Sequence, residues 1–253
     1  MKTVAVLQAR MGSSRLPGKS LQDIAGRPLL AHVIERARAV GGIDEVVVAT
    51  TVDSRDEPIV RLAQSEGVAA FRGSEDDVLD RYYRTAVVHR ATTVMRLTAD
   101  CPVLDPVVSA SVLARYLEGG SDYVTIGLPP TYPDGLDTEV FSFEALERAW
   151  REAVLPSERE HVTPYIWKRP ERFRVVNLTH DPDLSEHRWT VDTARDLDFV
   201  RALYARLYER GARPFGMETI LALLEREPAL REINKGIIRN DGYATSLGKD
   251  ATT

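Results

Sequence analysis

Short apolar runs rich in β-branched residues alternate along this chain with longer segments of helical period. That alternation is the pattern of an α/β fold, a mainly parallel central sheet with helices on both faces. Residues 3–7 read as a first buried strand. From Pro28, suited to the first position of a helix, Leu29, Leu30, Val33, Ile34, Ala37 and Val40 recur at spacings of three and four, and Gly41 and Gly42 end the segment. Residues 45–50 read as a second strand, 56–64 as a helix, 68–71 as a short strand, 77–89 as a helix and 93–97 as a third central strand. Further on, 143–153 and 158–168 read as helices, 172–178 as a strand, and 194–209 as a helix starting directly after Val191-Asp192-Thr193. Residues 128–135 hold three prolines and a glycine, which suits a loop bordering a site better than a domain linker. The 253 residues suffice for one domain, taken as 1–240, and the polar end, 241–253, reads as a partly disordered tail.

In an open parallel sheet, ligands gather outside the carboxyl ends of the strands. Residues 8–19, 50–53 and 98–105 should therefore converge on one crevice. The net charge of -5, from 33 basic and 38 acidic residues, lacks the basic excess of a nucleic-acid binder. An anionic ligand must accordingly be met by a local cluster of Lys and Arg. Cys101 is the single cysteine, which excludes an intramolecular disulfide and a Cys-rich zinc site and fits a reducing compartment. The first apolar run stops at Leu7, before polar Gln8 and Arg10, and no stretch approaches the roughly 18 apolar residues of a membrane span. The expectation is a cytoplasmic protein with no nucleic-acid or membrane partner.

The local cluster is Gln8-Ala9-Arg10-Met11-Gly12-Ser13-Ser14-Arg15-Leu16-Pro17-Gly18-Lys19, directly after the first strand. Backbone N–H groups, hydroxyls and three cations in such a loop can meet a polyphosphate, and glycine lets the main chain approach it closely. Gly18-Lys19-Ser20 imitates the end of a Walker A motif, but that motif needs glycine at Ser13, and Pro17 lacks an N–H. A solvated basic surface loop remains the alternative from charge alone.

The loop resembles the opening motif of the cytidylyltransferases that activate 3-deoxy-manno-octulosonate and acylneuraminate, above all the SpsF family of spore-coat polysaccharide synthesis. The likeness continues through Phe71-Arg72-Gly73-Ser74-Glu75-Asp76-Asp77, Arg96-Leu97-Thr98-Ala99-Asp100-Cys101-Pro102 and Pro133-Asp134-Gly135-Leu136-Asp137-Thr138-Glu139. It extends through Glu160-His161-Val162-Thr163-Pro164-Tyr165, Thr190-Val191-Asp192-Thr193-Ala194-Arg195-Asp196-Leu197 and Arg239-Asn240-Asp241-Gly242-Tyr243, and so covers nearly the whole chain. The resemblance implies a Rossmann-like nucleotide-diphospho-sugar transferase fold and transfer of CMP from CTP to a sugar or sugar-acid acceptor, with release of pyrophosphate. Gln8, Ala9, Arg10, Gly12, Ser13, Ser14, Arg15, Lys19, Arg72 and Asp100 are the expected nucleotide-binding residues, with a homodimer allowed for.

Charge accumulates on phosphate oxygens during nucleotidyl transfer, so positioning and electrostatic stabilisation should carry the catalysis. Mg²⁺ suits such a site because it takes a few carboxylates and completes its octahedron with phosphate oxygens and water. Asp100 and Asp192 are the expected ligands, each at a predicted strand end, and the resemblance places metal-holding aspartates in both motifs. Asp192 has a second reading, since an Asp before a helix is often only its cap. Arg10, Arg15, Lys19, Asp100 and Asp192 form the expected catalytic set, with the three cations on the triphosphate. The resemblance implies acceptor contacts from Asp134, Asp137, Glu139 and His161. Arg72 and His161 also suit surface roles, and Cys101 reads as a packing residue. The histidines at 32, 89, 161, 180 and 187 show no metal-ligand spacing.

Two competing functions share this pattern. A glycosyltransferase would carry Asp-x-Asp near a strand end, whereas Asp181/Asp183 and Asp196/Asp198 fall in a predicted loop and a helix. A non-catalytic nucleotide binder is disfavoured by the presence of both aspartates and all three cations.

Overall fold

The computed structural model describes residues 1–13, 15–237, 239 and 241–250, and of Asp241 the backbone alone. β1 (Thr3–Gln8) leads to a small hairpin, β2 (Asp23–Ile24) and β3 (Arg27–Pro28), then α1 (Leu29–Arg38), β4 (Glu45–Thr51), α2 (Glu57–Ser65) and β5 (Ala69–Gly73). Next come α3 (Val78–Val88), β6 (Thr93–Thr98), α4 (Pro106–Leu117), β7 (Tyr123–Thr125), β8 (Glu139–Ser142) and α5 (Phe143–Glu152). The remainder is α6 (Pro156–His161), α7 (Pro164–Trp167), β9 (Val175–Asn177), α8 (Ala194–Leu207), α9 (Met217–Arg226) and α10 (Asp241–Asp250).

The sheet runs β5-β4-β1-β6-β8-β7-β9. Every pair is parallel except the two that β8 makes, with β6 and with β7. Both faces are buried, which explains why the central strands are continuous apolar runs. Ala5, Leu7, Val46, Val48, Met95 and Leu97 face one layer with α1, α4, α8 and α9. Val4, Val6, Val47, Ala49 and Val94 face the other, with α3, α5 and α7. The mainly parallel, doubly covered sheet expected from the sequence is the one observed.

Because β8 starts where β6 and β7 end (Arg96 and Thr125 both lie opposite Glu139), the loop between β7 and β8 returns to the edge where β6 delivers Asp100. The chain thus brings the proline-rich loop to the site through one antiparallel strand.

Several elements differ from the sequence reading. Pro28 closes the hairpin and caps α1 instead of occupying its first turn. The expected helix over 158–168 is split in two at Val162, a buried β-branched residue at φ 73°. A β-branched side chain in the left-handed region is strained, and such strain is retained where the surroundings fix it. Here the break turns His161 and Thr163 toward the site. The strand expected over 172–178 shortens to β9, and β7, β8, α4 and α9 carried no sequence expectation. Residues 241–250, expected in a partly disordered tail, form α10, which packs on α6. No helix among the described residues is long and apolar enough to cross a membrane.

Candidate active site

The loop after β1 is pinned before it reaches any ligand. Met11 N–H donates to the Asp56 carboxylate at 2.7 Å, and Met11 C=O accepts from Ser13 and Gly18. Gly18, at φ 68°, takes the left-handed turn that starts the 3₁₀ turn Lys19–Leu21 and aims Lys19 across the crevice. Lys19 Nζ donates to Asp100 Oδ2 at 3.0 Å, to Asp192 Oδ1 at 2.9 Å and to Val191 C=O at 3.1 Å, so all three of its N–H bonds are used. Burial opposes the charge on Lys19, but the two carboxylates outweigh it and raise its pKa. Burial would likewise keep Asp100 protonated, yet the Lys19 ammonium and a Thr98 hydrogen bond bring its pKa down to about 2.

Two aspartates 92 positions apart in the chain thus share one cation. Asp100 lies two residues beyond β6, as the sequence implies. Asp192 follows no strand; the chain before α8 instead runs beside Asp100, with Val191 N–H donating to Asp100 C=O at 2.8 Å. Nor is Asp192 the helix cap. Thr193 holds that position in a reciprocal capping box with Asp196. This leaves the Asp192 carboxylate to Lys19, to Arg15 at 3.1 Å and to Arg188 at 3.0 Å.

Gln8, Ala9, Arg10, Gly12, Ser13, Arg15, Lys19 and Asp100 all line one open pocket of about 560 Å³. Arg10 stands 3.9 Å from Glu75. Ser14 lies outside the described residues. Arg72 is not part of this pocket: it donates to Thr51, Val52 and Asp53 carbonyls and pairs with Glu57, so it braces the turn after β4. An arginine beside a motif can serve the backbone as readily as a ligand, and the sequence does not separate the two.

A second pocket of about 310 Å³ adjoins the first, with Arg96, Thr98, Asp100 and Asp192 on the shared wall. It gathers Asp134, Asp137, Glu139 and His161, the four residues expected at an acceptor. Glu139 pairs with Arg96 and accepts from the Tyr123 hydroxyl at 2.9 Å. Asp137 accepts from Arg239 at 2.7 Å and from Gly135 N–H at 3.1 Å. Asp134 accepts from Arg188 at 2.9 Å, yet burial and the neighbouring Asp137 outweigh the arginines and raise its pKa to about 7. His161 meets the Ser246 hydroxyl at 2.9 Å, and burial together with Arg96 lowers its pKa to about 4, so the ring is neutral near pH 7. Cys101 is buried and its thiol pKa is pushed up, first by burial and then by Asp100, which suits packing and not nucleophilic attack.

The sequence reading missed Arg188, the hub of the site. Its guanidinium reaches Asp134, Asp192 and Asp196 at once while remaining almost fully buried. The signal was an arginine four positions before Asp192, which spacing alone does not distinguish from a surface charge. Arg96, Tyr123, Trp167 and Tyr243 were also unforeseen as site residues. Neither Asp-x-Asp pair serves the site as a metal motif. Asp181 and Asp183 are exposed in a loop, Asp196 is consumed by the capping box, and Asp198 is exposed on α8.

A family profile described as cytidylyltransferase matches residues 4–227. The spore coat polysaccharide biosynthesis protein SpsF of Bacillus subtilis is 32% identical over 231 residues, covering 88% of this chain and 94% of that protein. The 3-deoxy-manno-octulosonate cytidylyltransferase of Anaeromyxobacter sp. (strain Fw109-5) is 38% identical over 245 residues, covering 81% of this chain and 98% of that one. Among solved structures, a cytidylyltransferase from Leptospira borgpetersenii superposes with a TM-score of 0.88 at 29% identity, over 94% of this chain and 100% of that one.

Proposed function

The chain belongs to the cytidylyltransferase family, and from that premise we propose that it transfers CMP from CTP to a hydroxyl of a sugar or sugar-derived acceptor in polysaccharide synthesis. The observation that carries this reading is the junction of Lys19, Asp100 and Asp192 between two polar pockets. An acceptor hydroxyl oxygen forms a new bond to the α-phosphorus there. The bond from that phosphorus to the β-phosphate's bridging oxygen breaks, pyrophosphate leaves, and the hydroxyl proton passes to solvent. Arg10, Arg15 and Lys19 line the pocket in which the triphosphate would lie, and charge-assisted bonds from them would stabilise the leaving pyrophosphate.

The residues present fit a divalent cation. Asp100 and Asp192 converge on a single cationic centre, and the depressed pKa of Asp100 keeps it ionised. Among the described residues no group of three or more His, Cys, Asp or Glu side chains could hold a metal. An ion here would take two protein carboxylates and fill its shell with phosphate oxygens and water, the coordination Mg²⁺ prefers. Bound Mg²⁺ would supply charge neutralisation at the phosphates. Arg188 holds Asp192 from the opposite oxygen and so fixes the carboxylate's orientation.

Pyrophosphate release measured with CTP, UTP, ATP and GTP against a panel of sugars, sugar acids and sugar phosphates, with and without Mg²⁺, tests the reading. CTP with Mg²⁺ should give turnover with at least one acceptor. Release with all four nucleotides alike, or none while a nucleotide-sugar donor is consumed, would overturn it.

A further inference from the structure

α10, near the end of the chain, is tied to α6 along its length. Asp250 accepts from Ser157 N–H at 2.9 Å and from the Ser157 hydroxyl at 2.6 Å, and Lys249 donates to Glu160 at 3.2 Å. One turn back from these ties is Ser246, only 1% exposed. Its Oγ lies 2.8 Å from Glu160 Oε2, 3.1 Å from Gly242 C=O and 2.9 Å from His161 Nε2.

These three contacts decide where the His161 proton sits. A serine hydroxyl has one proton to give. Gly242 C=O can only accept, and so can Glu160 once ionised. Burial opposes that ionisation, but the bonds from Ser246 and Lys249 outweigh it and hold the Glu160 pKa below its ordinary value. The Ser246 proton therefore goes to one of these two oxygens, and the third neighbour, His161 Nε2, must be a donor. Burial, and then Arg96, keep the ring neutral near pH 7, so its lone pair is on Nδ1. That nitrogen has no hydrogen-bond partner among the described residues and is not sealed from solvent. The ring lines both pockets, as Asp100 and Asp192 do, and the Tyr243 ring stands edge-on to it at 5.0 Å. A hydroxyl that meets this open nitrogen finds a lone pair and not an N–H.

We propose that Ser246, backed by Glu160, is a positioning residue for the transfer: it holds His161 as the Nε2–H tautomer, so that Nδ1 accepts a hydrogen bond from the attacking hydroxyl. This rests on the cytidylyl-transfer reading above. The bond to Nδ1 turns the hydroxyl oxygen toward the α-phosphorus. As the new oxygen–phosphorus bond forms, pyrophosphate leaves and the proton passes to solvent, and the ring ends as it began. The test combines nitrogen NMR of the full chain, labelled with ¹⁵N at histidine, with CTP-dependent pyrophosphate release using 3-deoxy-manno-octulosonate and Mg²⁺. In the unaltered protein the unprotonated nitrogen signal should belong to His161 Nδ1. Ser246→Ala should mix the two tautomers and lower kcat/KM for the acceptor by about tenfold, the scale of one hydrogen bond, with CTP affinity by calorimetry changed by less than about twofold. Ser246→Thr, which returns the hydroxyl, should recover most of both. General loosening of α10 would instead weaken CTP as well, because Thr245, Ser246 and Lys249 line the nucleotide pocket. An unprotonated Nε2 in the unaltered protein overturns the assignment, as does Ser246→Ala that keeps full kcat/KM or loses CTP affinity in proportion. Should the variants fail to fold, the nitrogen signals of the unaltered protein decide alone. Absence of CTP binding would strike the transfer reading and leave the tautomer to the same signals, so the two failures are distinguishable.

Discussion

The pocket beside the loop after β1 takes the cations Arg10, Arg15 and Lys19 from one continuous stretch, whereas the pocket beyond Asp100 assembles Asp134, His161, Arg188 and Tyr243 from four separated segments. The first has cations able to turn to a ligand, with Arg10 and Arg15 each about two-fifths exposed. The second is a lattice of arginines and carboxylates that largely satisfies itself. A local loop suffices to hold a phosphate chain, because backbone amides and flexible cations adapt to it. Recognition of an acceptor needs groups fixed in mutual geometry, and only tertiary packing supplies that.

The two regions meet at Asp100 and Asp192, and changes there should have the largest effect. Asp100→Asn and Asp192→Asn should each lower kcat by about 100-fold or more. Each should also lower the melting temperature, because the largely buried Lys19 loses one of its two counter-ions. Thr193, not Asp192, caps α8, so no loss of helix is expected from the second variant. Full turnover of Asp192→Asn at low Mg²⁺, measured by pyrophosphate release, would mean that the pockets share no metal ion.

Loss of a loop cation should come next. Lys19→Ala and Arg15→Ala should weaken CTP binding by about 1.5–3 kcal/mol each, the range for hydrogen bonds to charged groups. Lys19→Ala should also lower the melting temperature of the nucleotide-free protein, since it leaves Asp100 without its counter-ion and removes one of the cations that hold Asp192, and Mg²⁺ should recover part of that loss. Calorimetric titration that finds CTP affinity unchanged in both variants would remove the distinction drawn between an adaptable and a self-satisfied pocket.

A pH series examines the other side. The folded-state pKa of Asp134, about 7, lies above its ordinary value of 3.8, so the folded protein holds this proton more tightly than the unfolded chain. The ionised carboxylate therefore costs stability, a penalty absent below about pH 4, growing as pH rises and complete above about pH 7. Asp134→Asn removes the titration, so its melting temperature relative to the unaltered protein should rise between pH 5 and pH 8. A constant difference across that window would show that Asp134 titrates like an exposed carboxylate.

The smallest effect is expected at Arg72. Arg72→Ala should change CTP affinity by no more than about twofold, because its donors are held by the turn after β4 and lie outside both pockets. Its cost should appear as stability, about 1 kcal/mol, for bonds that are partly exposed. A large loss of CTP affinity would return Arg72 to the nucleotide.

The central strands were legible because their both-sided burial writes itself as continuous apolar runs such as Thr3-Val4-Ala5-Val6-Leu7, and α3 because Leu79, Tyr82 and Ala86 keep a helical spacing. β7, β8 and β9 were harder, since three- and four-residue strands carry too few alternations to stand out. Strain at Val162 and the docking of α10 left no local mark, because both depend on what packs around them.

The sequence by itself determined the layered architecture and the cation-bearing loop after β1, for these rest on periodicity and on residue types clustered within a few positions. Tertiary structure decided that Lys19 bridges Asp100 and Asp192, that Thr193 frees Asp192 from capping, that Arg72 serves a turn, and that Arg188 locks three carboxylates together. Those outcomes turn on distances between side chains up to 173 positions apart, and such distances are set only once the sheet has brought its strand ends to one edge.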